Sequence, residues 1–114
     1  TPVLTSTIYI IKDTDANATS EDNVTGTSAT LYYVYIDNRA NPTAVYLKIY
    51  NNAAPTVGTT APDKIIPCAG NDEVDLAFPK GIAFGTALSF ACVTTAGTAG
   101  TTTPTNDVAV TLVA

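Results

Sequence analysis

The stretch Ala44-Val45-Tyr46-Leu47-Lys48-Ile49-Tyr50-Asn51 decides the fold. Val45, Leu47 and Ile49 fall on one side of an extended chain and Tyr46, Lys48 and Tyr50 on the other, because successive side chains of a strand point to opposite faces. A helix would scatter the same residues around its axis and bury neither set. The segment therefore reads as a strand with an aliphatic inner face and an outer face of two tyrosines and a lysine.

Working outward, the same period-two pattern recurs between clusters of Gly, Pro, Asn and Asp. Strands are expected at Val3–Lys12, Ala29–Asp37, Lys64–Ala69, Glu73–Phe78, Ile82–Phe84, Ala87–Thr95 and Asp107–Val113. In Glu73–Phe78, Val74, Leu76 and Phe78 point inward while Glu73 and Asp75 face water and discourage pairing with another sheet edge. Pro79-Lys80-Gly81 reads as a turn, and Gly85 as a bulge or bend. Segments 52–62 and 96–106, rich in Pro, Gly and Thr, read as loops, the second flexible. Ala29–Asp37 is the exception to the pattern. Leu31, Tyr33 and Tyr35 share one face and Tyr32, Val34 and Ile36 the other, so the strand is either covered twice or turned toward a partner.

No window shows helical spacing of apolar residues, no repeat of fixed period occurs, and no linker divides the chain. The expected fold is all-β: one antiparallel β-sandwich of seven to eight strands spanning residues 1–114, immunoglobulin-like or jelly-roll-like in arrangement. At 114 residues, one domain can bury a core without metals or staples.

Composition limits the chemistry. There is no His, Trp or Met, only two Cys, and charged residues make up 13% of the chain against 46% hydrophobic. Ser6, Ser20, Ser28 and Ser89 have no His to act as base, and Glu73 and Asp75 lie on the wet side of their strand, so neither nucleophilic catalysis nor glycoside hydrolysis is supported. No enzyme, catalytic residue or cofactor is expected. Asp13-Thr14-Asp15-Ala16-Asn17 starts like a calcium loop, but Ala18 replaces the turning Gly and Val24 the closing Glu, so an acidic solvated loop is expected and no metal site. The sequons at Asn17 and Asn23 are what chance gives in a chain rich in Asn and Thr. Cys68 and Cys92 read as two small buried thiols, with one disulfide as the other possibility in an oxidising place.

The net charge is -5, and Lys12, Arg39, Lys48, Lys64 and Lys80 stand singly, so no basic stripe exists for nucleic acid. No apolar run is long enough to span a bilayer, and the first residues lack a signal-peptide profile, so a soluble mature form with no membrane partner is expected. Thr1 in place of Met fits removal of an initiator or leader, or numbering that starts inside a longer chain. A surface this short of charge, with six tyrosines, suits contact with other chains, since tyrosine brings apolar area at little entropy cost. Tyr32, Tyr35, Tyr46, Lys48 and Tyr50 are the candidate interface residues.

From Pro42 to Ala114 the chain resembles a recurring type of small bacteriophage virion protein. The resemblance is carried by Ala44–Asn51, by Ala54-Pro55-Thr56-Val57-Gly58-Thr59-Thr60-Ala61-Pro62, and by Gly81-Ile82-Ala83-Phe84-Gly85-Thr86-Ala87-Leu88-Ser89. It implies a β-sandwich on a phage particle, either decorating the capsid or belonging to the tail or neck, and it names no catalytic residue. The expected role is a capsid decoration (cement) protein on the capsid surface of the virion, binding the major capsid protein or another virion protein as a homo-oligomer. The alternative is a tail-fibre or cell-surface module that binds glycans through exposed tyrosines.

Overall fold

A computed structural model describes residues 8–114 and shows seven strands with no helix among them. They are β1 (Ile10–Asp13), β2 (Ala29–Asp37), β3 (Val45–Tyr50), β4 (Lys64–Cys68), β5 (Glu73–Phe84), β6 (Ser89–Val93) and β7 (Ala109–Val113). One sheet has the order β1-β7-β2-β5 and the other β4-β3-β6, and every neighbouring pair is antiparallel. The expected stretch Val3–Thr7 of the first strand lies outside the described residues.

Between the sheets, Leu31, Val34, Ile36, Val110 and Leu112 meet Val45, Leu47, Ile49, Phe90 and Cys92, all at most 1% exposed. Val45, Leu47 and Ile49 form the inner face of β3, as their spacing predicts. The edges are protected in different ways. On β6, the acidic segment after β1 lies alongside: the Glu21 N–H donates to Phe90 O (2.8 Å), the Phe90 N–H to Glu21 O (3.1 Å) and the Cys92 N–H to Asn17 O (2.8 Å). The exposed edges β4 and β5 carry Pro67 and Pro79 together with Glu73, Asp75 and Lys80, residues that discourage strand addition. Where these two edges diverge, an apolar groove of about 180 Å³ remains, lined in part by Ile49, Ile65, Leu76 and Phe78.

Two expectations are corrected here. The runs Glu73–Phe78 and Ile82–Phe84 are a single strand, because Pro79-Lys80-Gly81 makes a bulge rather than a turn. Leu31 pairs with Ile82 and Tyr33 with Ala77, so Tyr32 alone stands opposite Phe78, Pro79, Lys80 and Gly81. A bulge shifts the alternation of side chains. Leu31, Val34 and Ile36 are consequently all buried, while Tyr32 is exposed and Tyr33 and Tyr35 are half-buried on the outer side. The strand that had no polar side in a strict period of two has a clean inner face once its register slips.

The second correction concerns the far side of β3. Lys48 and Tyr50 were expected to face outward, yet neither has any exposed surface. Segment 94–106, which contains the expected flexible loop 96–106, folds back over this sheet. Lys48 Nζ donates to the carbonyls of Gly100 (2.8 Å) and Thr98 (3.3 Å), and the Thr94 N–H donates to Thr102 O (3.0 Å). Segment 52–62 packs beside it so closely that a β-carbon on Gly58 would lie 2.5 Å from Thr101 Cγ2. Strands β3 and β6 are thus covered on both faces while the outer side of edge strand β4 stays exposed at Ile65 and Pro67, and among the described residues the four-stranded sheet is covered on one face.

Candidate functional site

Among the described residues, the outer face of the four-stranded sheet is the broadest sheet surface left uncovered. Register defines its rows. Ile10, Val113, Tyr33 and Ala77 stand side by side across β1, β7, β2 and β5; Lys12, Thr111, Tyr35 and Asp75 form the next row; Ala109, Asp37 and Glu73 form the third. The first row is apolar and continues toward Ile8, with Ile8 58% and Ile10 66% exposed. The third row is acidic. One face therefore grades from aliphatic and aromatic at one end to carboxylate at the other.

The tyrosines on this face are held. Tyr35 Oη donates to Glu73 Oε2 at 2.5 Å, and Tyr33 Oη to Asp75 Oδ2 at 3.5 Å. The bond to Glu73, with some desolvation, pushes the Tyr35 phenol up to about 12, and burial together with Asp75 raises that of Tyr33. Arg39 forks onto Asp37 through Nε (3.0 Å) and Nη2 (2.9 Å) and approaches Glu73 (3.8 Å). This bond from the guanidinium holds the Asp37 carboxyl below the usual carboxylate range. Because these groups tie one another down, the face loses little side-chain freedom when a partner covers it.

Of the five expected interface residues, Tyr35 alone lies on this face. Tyr32 is 44% exposed on the bulge. Tyr46 is half-buried on the loop-covered side of β3, and Lys48 and Tyr50 are removed from any surface. Burial lowers the Lys48 ammonium and raises the Tyr50 phenol, whose Oη is enclosed with no hydrogen-bond partner. Tyr33 was missed. A strict period of two put it on one face with Leu31 and Tyr35, and the bulge moves Leu31 to the inner side while Tyr33 stays beside Tyr35.

The acidic segment serves its own backbone. The Asp15 N–H donates to Asp13 Oδ1 (3.1 Å), the Thr19 N–H to Asn17 Oδ1 (2.8 Å), and Ser20 Oγ to Asp22 Oδ1 (2.5 Å). These are local turns of the kind Asp and Asn favour. No three metal-ligating side chains converge among the described residues. Cys68 and Cys92 are free and buried. They flank β3, opposite Val45 and Leu47, which places their strands about 9.5 Å apart, too far for the roughly 7 Å limit between bridged Cα atoms.

Comparison with protein-family models, with curated proteins and with solved structures finds no match for this chain.

Proposed function

We propose that this chain is a structural protein of a bacteriophage virion, a decoration or cement protein that seats on the capsid surface and reinforces the lattice by protein–protein contact rather than catalysis. The virion assignment rests on the resemblance over residues 42–114. The observation that carries the contact role is the uncovered face of the four-stranded sheet, where the Ile10–Val113–Tyr33 row meets a rim of tethered carboxylates. An apolar centre with a polar margin is the anatomy of protein contact sites. The major capsid protein is the proposed partner, and self-association into a small oligomer would let many modest contacts act together on a repeating lattice.

Electron microscopy of particles with and without the protein tests this reading. Surface density should vanish in its absence and return on addition of the purified chain. A double variant, Ile10→Ser with Tyr33→Ser, should bind stripped particles at least about tenfold more weakly, a loss of about 1.4 kcal/mol. Particles that look identical with and without the chain, or binding untouched by the double variant, would overturn the proposal.

A further inference from the structure

A second feature lies away from that face, at the end of the four-stranded sheet. A cleft of about 430 Å³ is lined by Tyr9, Thr27, Ser28, Thr30, Tyr32 and Phe84, among others. Its volume falls within the range of small-ligand sites, roughly 300–1,000 Å³. β7 reaches β2 only from Tyr33 onward, so over Ala29–Leu31 no described strand lies against the edge of β2 turned away from β5.

The lining is selective in kind. It offers hydroxyls and aromatic rings, and no Asp, Glu, Lys or Arg side chain. An anionic ligand would lose its hydration and gain no counter-charge. A purely apolar ligand would leave the hydroxyls unpaired. The chemistry that satisfies both sets is a neutral polyol with hydroxyls at its rim and a face of C–H groups, since those weakly positive hydrogens pack against the negative face of an aromatic ring.

The fold also positions the principal ring. Tyr32 is the residue at which the β2–β5 register slips, and bulges characteristically re-aim a side chain beside a site. Gly81 backs the ring at a φ of +74°, where a β-carbon would lie 2.9 Å from Tyr32 Cε1 and 2.2 Å from Thr30 Cγ2. An exposed ring fixed from behind loses little entropy when a ligand covers its free side.

We propose that this cleft binds a neutral saccharide, a mono- or disaccharide unit stacked on Tyr32 and hydrogen-bonded by Thr27, Ser28 and Thr30. The site is separate from the sheet face that carries the capsid reading, so each can fail alone. The test is a heteronuclear NMR titration of the 114-residue chain with maltose, cellobiose, lactose and N,N′-diacetylchitobiose, alongside a sialylated sugar and a short uncharged peptide of alternating Val and Thr. At least one neutral disaccharide should shift amides of residues 27–32 and 83–85 in a saturable way, while the sialylated sugar does not. Tyr32→Ala should weaken that binding about tenfold or more, and Tyr46→Ala should not, with circular dichroism showing both variants folded. Ser28→Ala, a smaller change, should weaken it by about threefold to tenfold. No saturable shift with any neutral sugar, shifts outside the cleft, undiminished binding by the Tyr32 variant, or a response to the peptide alone would each overturn the assignment.

Discussion

Gly81 and Tyr32 are in direct apposition: a β-carbon on Gly81 would lie 2.9 Å from Tyr32 Cε1, and the Gly81 backbone is held at a φ of +74°. Both conditions select glycine at the last position of the bulge that gives β2 its faces. Gly81→Ala should destabilise the fold by about 1–3 kcal/mol, the combined result of left-handed backbone strain and the clash with Thr30. Urea unfolding would measure it. A Gly85→Ala variant, where a β-carbon meets nothing within 4 Å, should change stability by less than about 0.5 kcal/mol.

Lys48 makes stability depend on pH in a definite direction. Its ammonium is fully buried against carbonyls, and burial lowers its pKa from the ordinary 10.5. Between the lowered folded value and 10.5 the unfolded chain holds a proton that the folded chain has released, so in that window this residue makes stability rise with pH. Measured against Lys48→Met, the wild type should gain relative stability as pH climbs through that window toward 10.5. Parallel stability profiles for the two proteins would contradict the burial.

Tyr35 acts in the opposite sense. Its folded pKa is raised to about 12 from 10 by the bond to Glu73, so its stabilising contribution is complete below pH 10 and disappears as pH rises through about 12. Tyr35→Phe should show a shallower loss of stability across that window. Phenolate absorbance should show one fewer late-titrating tyrosine in the variant.

The two thiols should be inert in the native protein. Burial pushes Cys92 up to about 12 and also raises Cys68, leaving almost no thiolate at neutral pH. A thiol reagent should modify neither residue at a rate faster than unfolding, and both after denaturation. Rapid labelling of folded protein, or a mass consistent with an internal disulfide, would show that the strands flanking β3 are misplaced.

The inner and outer faces should differ sharply on mutation. Leu47 has no exposed surface whereas Ile10 is 66% exposed. Leu47→Ala should cost about 2–5 kcal/mol through lost burial and the cavity left behind. Ile10→Ser should stay within about 0.5 kcal/mol, which keeps it usable as a probe of particle binding. Thermal or urea denaturation of the two variants checks both.

The local alternation of apolar and polar residues was enough to determine the all-β class, the positions of most strands, the inward side of β3 and the packing of Val74 and Phe78 of β5 against the core, whereas Leu76, expected inward with them, is 38% exposed. Side-chain period and turn residues act over a few positions, so they are legible without neighbours. Tertiary structure alone decided what covers each face. The tyrosine and lysine side of β3 looks wet in isolation, and is buried because segment 94–106, rich in Thr, Gly and Ala, carries no charge and folds onto it. Leu31 turns inward with Val34 and Ile36, leaving Tyr33 and Tyr35 outside, only because Tyr32 absorbs a register slip against four residues distant in sequence. Burial is a property of pairs of segments, and no single segment encodes its partner; that is why Lys48 and Tyr50 left the surface and Tyr33 joined it.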